Sequence, residues 1–408
     1  MKVLIYGMNF APEPTGVGKY TGELAAWLAG RGHEVQVIAA PPYYPAWRVE
    51  PPYGGWRYRT RLWQHVRVTR VPIWVPARPG SVKRLLHLAS FALNSLPVLA
   101  LRALERPDVI IAVAPAIFCA PAAWAAARLC GARAWLHIQD YEVDAAFELG
   151  MLRGGRLRRA VLRLESWLLR RFDRVSGISH RMLDLARRKN VEAGRLVLLP
   201  NWTDVGAMAA PASPDAYRRE LGIPPEAVVA LYSGNMGAKQ GLEMLADVAW
   251  QLRGRAGLWF VFCGDGPQRR MLELRCAGLS NVRFLPLQPA RRLGELLRTA
   301  DVHLLPQRAG AADLVLPSKL GGMLASGRPV VCGAAAGTEL AAIVAGRGTV
   351  VPPEDAPAMA RALAELADAP LLRAALGAAA QEYARRHLDK EAVLARAEQD
   401  LHDCVARR

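Results

Sequence analysis

A rhythm of short apolar runs, each ended by a glycine- or proline-bearing loop and followed by a helical stretch, starts twice along this chain. The first round opens with Val3-Leu4-Ile5-Tyr6, which stops at Gly7. It continues through Val35–Ala39, Val66–Val71, Val109–Ala114, Ala132–His137 and Val175–Ile178, with helical patterns between. After prolines at 200, 211, 214, 224 and 225 the rhythm restarts with Val228–Tyr232, Leu258–Phe262, Val282–Leu285, Val302–Leu305, Val330–Cys332 and Thr349–Val351. Near-continuous apolar strands alternating with helices require a parallel sheet covered on both faces. The expected fold is therefore α/β, with two doubly wound Rossmann-like domains. Residues 1–200 form the first domain and 201–385 the second, and the closing helical segment 386–408 is free to pack back on the first.

A chain of 408 residues suits two domains of about 200 each. At 52% apolar and 22% charged it has ample core material, which excludes disordered and fibrous classes. Its six cysteines contain no C-x-x-C pair, so neither a disulfide framework nor a zinc ribbon is expected, and a reducing compartment fits. Met1-Lys2 runs directly into the first strand, too short an approach for the apolar region of a signal peptide.

The net charge of +17 is unevenly spread: residues 1–200 hold 29 Lys+Arg against 14 Asp+Glu, and residues 201–408 hold 24 against 22. A basic half fits nucleic acid, an anionic membrane or plain arginine-rich composition. The run Leu85–Leu104 is nearly all apolar, but it carries His87, Asn94, Ser95, Pro97 and Arg102, which count against a spanning helix. A buried core helix and a helix lying on a bilayer both remain open. A second helical stretch, Arg153–Arg174, sets Leu157, Val161, Leu164 and Leu168 against Arg156, Arg159, Arg163 and Arg170, the pattern of a basic amphipathic helix.

Ligands of open parallel sheets sit beyond the carboxyl ends of the strands, so the loops there carry the candidate chemistry. Gly16-Val17-Gly18 follows the first strand, where freed amides could meet an anion. It is neither a Walker loop, since Tyr20 follows Lys19, nor a dinucleotide fingerprint, since Gly16 lies nine residues past Gly7. In the second half, Ser233-Gly234-Asn235-Met236-Gly237-Ala238-Lys239 opens a helix, a composition suited to a diphosphate. Cys263-Gly264-Asp265-Gly266-Pro267 repeats the scheme, and Pro286-Leu287 offers apolar faces for a base. Asp313 precedes Leu316-Pro317-Ser318-Lys319-Leu320, read as the opening of a helix that runs to Ala325. Successive loops on one sheet edge converge on one elongated phosphorylated ligand.

In this order and spacing the second half resembles the nucleotide-sugar domain of the retaining GT-B glycosyltransferases of family 4, and the resemblance covers nearly the whole chain. Pro12-Glu13-Pro14-Thr15-Gly16-Val17-Gly18-Lys19, Gly32-His33-Glu34-Val35 and Leu199-Pro200-Asn201-Trp202-Thr203-Asp204 are similar to the family's opening loop, second strand and interdomain segment. With Leu316–Leu320 and Leu324-Ala325-Ser326-Gly327-Arg328-Pro329 the chain looks most like transferases of the colanic-acid and exopolysaccharide type.

The resemblance implies two domains facing across a cleft, an acceptor-side first domain and a donor-binding second domain. It also implies front-face retention without metal or other cofactor. Lys239, Lys319 and Asp313 become the catalytic candidates. Gly16, Val17, Gly18, Gly234, Asn235, Gly264, Asp265, Pro286, Leu287, Pro317, Ser318 and Leu320 become the donor contacts, and His137 and Asp140 the acceptor or sugar side. The expected partners are a GDP- or UDP-sugar, a lipid-linked saccharide and an anionic membrane, with no nucleic acid, at the inner face of the cell membrane.

Two departures stand out. The family's paired glutamates would fall at Leu314 and Gly322, so the second one's usual ribose contact must come from elsewhere. The His-Asp pair common in the first domain is also altered, with Gln139 before Asp140 and His137 two positions before Gln139. The lack of any D-x-D agrees with the metal independence that the resemblance implies. The competing classes are a nicotinamide oxidoreductase, which would need a compact G-x-G-x-x-G directly after a strand, and a basic adaptor, which leaves the second half without a task.

Overall fold

The computed structural model describes residues 1–14, 16–77, 80–113, 116–141, 155–209, 215–237, 240–308 and 316–406. The chain divides into two compact units, Met1–Pro200 with Leu394–Arg408, and Asn201–Val393. Each is an α/β layer structure around one sheet.

The first unit holds β1 (Lys2–Tyr6), β2 (Glu34–Ala39), β3 (Arg59–Trp63), β4 (Val66–Arg70), β5 (Val109–Val113), β6 (Arg133–Ile138), β7 (Arg174–Gly177) and β8 (Leu196–Leu198). Their order is β3-β4-β2-β1-β5-β6-β7-β8, parallel throughout except for the β3–β4 pair. The second unit holds β9 (Val228–Ser233), β10 (Leu258–Cys263), β11 (Val282–Leu285), β12 (Val302–Leu305), β13 (Val330–Gly333) and β14 (Gly348–Val351). Its order is β11-β10-β9-β12-β13-β14, all parallel. That is the 3-2-1-4-5-6 order of a dinucleotide-binding sheet, with the chain reversing direction between β9 and β12; the first unit reverses between β1 and β5. Loops on either side of a reversal part at the carboxyl edge, so each sheet offers a crevice there.

The central strands are apolar because both faces are covered: Val3, Leu4, Ile5 and Tyr6 are all buried, as are Val229–Tyr232. β3 was absent from the sequence pattern. Arg59-Thr60-Arg61-Leu62-Trp63 is an exposed edge strand, set by antiparallel pairing with β4 and by a two-residue turn at Gln64 (φ 46°) and His65 (φ 64°).

The apolar run near residue 90 is a helix, Ser81–Ala103. One face is buried through His87, Phe91, Ser95, Val98, Leu99 and Ala103. The polar residues that counted against a spanning helix are anchors to this unit. His87 Nδ1 lies 2.6 Å from the Trp74 carbonyl, Asn94 donates to the Pro72 carbonyl at 3.1 Å, and Ser95 pairs with the Tyr6 hydroxyl at 2.6 Å. The opposite face carries Val82, Leu86, Leu93, Leu96, Leu101 and, just past the helix end, Leu104, all exposed.

The second candidate amphipathic helix runs over Gly155–Leu169, and its faces differ from the sequence expectation. Leu168 is buried but Leu164 is 54% exposed, and the buried side also holds Glu165, paired with Lys189. A carboxylate that finds an ammonium within the unit takes the place the apolar stripe was expected to fill. The last helix, Lys390–Ala406, returns to the first unit from Leu394 onward, burying Leu394, Ala397, Leu401 and Cys404.

Candidate functional site

In the second unit the loops after β9 and β10 are zipped together. The Gly234 amide donates to the Cys263 carbonyl at 3.0 Å, Met236 to Asp265 at 2.8 Å, and Gln268 back to Met236 at 2.9 Å. The approach is close enough that a Cβ on Gly264 (φ +149°) would lie 1.9 Å from the Gly234 oxygen, so only glycine fits there. Asn235 and Asp265 sit exposed on this paired ridge, and Asp265 Oδ1 accepts from the Gly266 amide at 2.7 Å.

Lys319 crosses the β9/β12 reversal to meet this ridge. Its Nζ stands 4.0 Å from the Tyr232 ring centroid, and a Cβ on Gly234 would lie 3.3 Å from its Cδ and 3.6 Å from its Nζ. The Nζ is buried and has no hydrogen-bond partner among the described residues. Burial alone pulls its pKa from the ordinary lysine value down to about 7. A buried ammonium without an acceptor is unfavourable unless an anion joins it. Tyr232 was invisible to sequence reasoning, because as the last large residue of an apolar strand it looks like any core tyrosine.

The remaining candidates fall around this point unequally. Pro286 and Leu287 are exposed just past β11, with Leu287 65% accessible, and Cys263 Sγ lies 3.2 Å from the Pro286 carbonyl. Arg269 braces the same turn by donating to the Gly264 and Leu285 carbonyls at 2.6 and 2.7 Å. Ser318 is exposed and Pro317 half-buried. Leu320 begins the helix Leu320–Ala325, later than the sequence reading placed its start, and its side chain is in the core at 2% exposure. Lys239 and Asp313 lie outside the described residues, as does Leu314. A Cβ on Gly322 would sit 3.1 Å from Leu297 Cδ1, so a side chain at that position enters helix packing.

In the first unit the glycine loop is fastened by a residue the pattern did not single out as a site. Glu13 is 4% exposed; its Oε1 accepts from the amides of Tyr43 (3.2 Å) and Tyr44 (3.1 Å), and its Oε2 from Asn9 Nδ2 (2.9 Å). Burial raises the Glu13 pKa against these hydrogen bonds and the charge of Arg70. A Cβ on Gly18 would lie 2.4 Å from Glu13 Oε2, so this glycine makes room for the carboxylate. Gly16 starts the helix Gly16–Gly30 with φ +63°, and Val17 is half-buried behind it.

His137, the penultimate residue of β6, is buried. Its Nδ1 lies 2.9 Å from Ser176 Oγ and its Nε2 2.9 Å from Gln139 Nε2, so both ring nitrogens are engaged inside the unit. Burial drops its pKa to about 4. Asp140 is half-buried.

Residues 15–202 match the glycosyl transferase 4-like domain and residues 227–369 the glycosyl transferases group 1 domain. The chain is 44% identical over 404 residues to the putative colanic acid biosynthesis glycosyl transferase WcaI of Escherichia coli, covering 97% of this chain and 98% of that one. The chain belongs to the family 4 glycosyltransferases.

A probable glycosyltransferase of Pseudomonas aeruginosa, WbjE, is 29% identical over about half of each chain. Among solved structures, the sucrose-phosphate synthase of Thermosynechococcus elongatus superposes with a TM-score of 0.74 at 19% identity over the whole of both chains. WaaG, a glycosyltransferase involved in lipopolysaccharide biosynthesis, gives 0.65 at 18% identity over 96% of this chain and 98% of its own. These likenesses place the glycosyltransferase within the GT-B fold. Family membership removes the oxidoreductase and adaptor readings.

Proposed function

We propose that this glycosyltransferase moves a sugar, with retention, from a GDP- or UDP-linked donor to a lipid-linked saccharide. We place the reaction at the inner face of the cell membrane, during exopolysaccharide or lipopolysaccharide assembly. The observation that carries the donor half is the Lys319 ammonium, buried beside the glycine ridge at the β9/β12 reversal without an acceptor among the described residues. As the bond from the anomeric carbon to the β-phosphate oxygen breaks, negative charge grows on the departing diphosphate. A fixed cation in a dry crevice stabilises that charge more than it stabilises the neutral parts of the donor. The acceptor hydroxyl forms the new bond and passes its proton to the departing phosphate, so no metal is needed in this scheme. Leu287 and Pro286 supply the apolar surface for the base, and the Ser318 hydroxyl and the Asn235 amide supply donors to the phosphates. The involvement of the E. coli relative in colanic acid biosynthesis supports the pathway class.

The membrane half rests on the helix Ser81–Ala103, which over 82–103 is long and apolar enough to cross a bilayer yet is anchored along one face. Its free face is a leucine-rich stripe about 33 Å long. Residues 51–100 around it contain eight Lys+Arg and no Asp or Glu, and Trp56, Tyr58, Leu62 and Trp74 are exposed there. Apolar insertion flanked by cations fits a helix lying in the headgroup region of an anionic membrane. Turnover tests the whole proposal. Membranes from the source cells plus radiolabelled GDP- and UDP-sugars should yield labelled glycolipid with wild-type enzyme, and far less with Lys319→Met. No transfer from any sugar nucleotide would overturn it.

A further inference from the structure

At the edge of the first sheet opposite its ligand-bearing loops, His33 closes the turn that leads into β2. Its Nε2 lies 2.8 Å from Glu398 Oε1 on the last helix, and its ring centroid is 5.6 Å from that of His402. Glu398 and His402 are four residues apart, so both project from one face of that helix toward the turn. One donor atom from each of the three lies within 4.8 Å of the others. We propose that His33, Glu398 and His402 form a binding site for a transition-metal dication of the zinc or copper class, which clips the last helix to the start of β2.

Two imidazoles and a carboxylate are a donor set that zinc and copper favour over magnesium or calcium. Tetrahedral ligation needs donor atoms roughly 3.4 Å apart, which follows from metal–nitrogen bonds of about 2.0–2.1 Å, so small side-chain rotations complete the set. His402 is exposed, which gives the ion an entry path and leaves a position for water. Arg31 reaches only Oε2 of Glu398, at 3.4 Å, and leaves Oε1 to the metal. The location, away from the strand carboxyl ends, makes the ion a structural clip rather than a participant in transfer.

Titration of the tag-free full-length protein with Zn2+ by calorimetry tests the site, with Mg2+ as the comparison ion and Co2+ as a spectroscopic probe. One equivalent of Zn2+ should bind with micromolar affinity, Mg2+ should give no heat, and Co2+ should give the visible bands of a four- or five-coordinate site. His402→Ala removes an exposed side chain and should weaken Zn2+ binding at least tenfold with an unchanged circular dichroism spectrum. His65→Ala and Cys130→Ser, which remove an exposed histidine and the half-buried thiol, should leave binding intact. Absence of Zn2+ binding up to about 100 µM, equal binding by the His402→Ala protein, or loss of binding in Cys130→Ser would each overturn the proposal. None of these readouts depends on sugar transfer, so they stand apart from the proposed reaction.

Discussion

Donor affinity should titrate with Lys319. Burial against Tyr232 brings this lysine to about pH 7 in the free protein, whereas a bound diphosphate holds it protonated well above that. The apparent dissociation constant then grows as 1 + 10^(pH − 7), so affinity should fall roughly 30-fold from pH 6.0 to pH 8.5, about 2 kcal/mol. An intact nucleotide sugar is the right ligand, because both its phosphates are diesters that do not titrate in this range. Calorimetry in buffers of different ionisation enthalpy should show uptake of close to one proton per donor bound at pH 8. Lys319→Arg keeps its charge throughout and should flatten the profile. Lys319→Met should be weak and flat.

The same burial has a stability consequence whose sign follows from linkage. A lysine with a depressed folded-state pKa disfavours its charged form, so the folded protein bears a cost below about pH 7 that fades as pH rises toward the unfolded value of 10.5. Lys319→Met should therefore raise the melting temperature of the ligand-free protein at pH 6 and change little at pH 10. Wild-type donor affinity constant within threefold from pH 6.0 to 8.5 would refute the reasoning.

Gly18→Ala should destabilise the first unit by about 2 kcal/mol, because its Cβ would meet Glu13 Oε2 at 2.4 Å and Glu13 Cβ at 2.7 Å. Gly30→Ala, whose Cβ meets nothing within 4 Å, is the control that scanning calorimetry should find unharmed. Acid should unfold both units early. His137 and His303 have folded-state pKa values depressed by burial to about 4 and about 3, so the stability they hold above pH 6.5 drains as pH falls through those values. The loss is on the order of 3–5 kcal/mol per site, and a urea midpoint that stays level from pH 7 to pH 4 would contradict it. Anionic liposomes should float the wild-type protein at low salt, and the triple change Leu86→Asp, Leu93→Asp, Leu101→Asp should abolish flotation. Equal flotation of both proteins would remove the membrane-face assignment.

Much of this architecture was legible in residue order, because buried parallel strands must be apolar on both faces and glycine must punctuate their ends. What escaped depends on partners distant in sequence. Arg59–Trp63 is an edge strand with mostly exposed residues, so no alternation marks it, and only its pairing with β4 makes it β. The arginine-rich helix Gly155–Leu169 shows a leucine stripe on paper, yet it buries Glu165 because Lys189 waits for it across the unit. The glycines teach the same lesson at the site. Gly18 and Gly234 look alike as loop residues, but one yields to a buried carboxylate and the other to the stem of a buried lysine. Spacing marks where a loop bends, and only the fold tells which side chain the bend admits. Likewise the family's second glutamate position, Gly322, faces Leu297, so packing there rather than ligand contact dictates the residue.

A crystal of the enzyme soaked with GDP- or UDP-sugar tests the central claim most directly. The diphosphate should be seated at the β9/β12 reversal, with a phosphate oxygen about 3 Å from the Lys319 ammonium and another on the Asn235 amide. A nucleotide bound with Lys319 still facing only Tyr232, its phosphates held elsewhere, would contradict it.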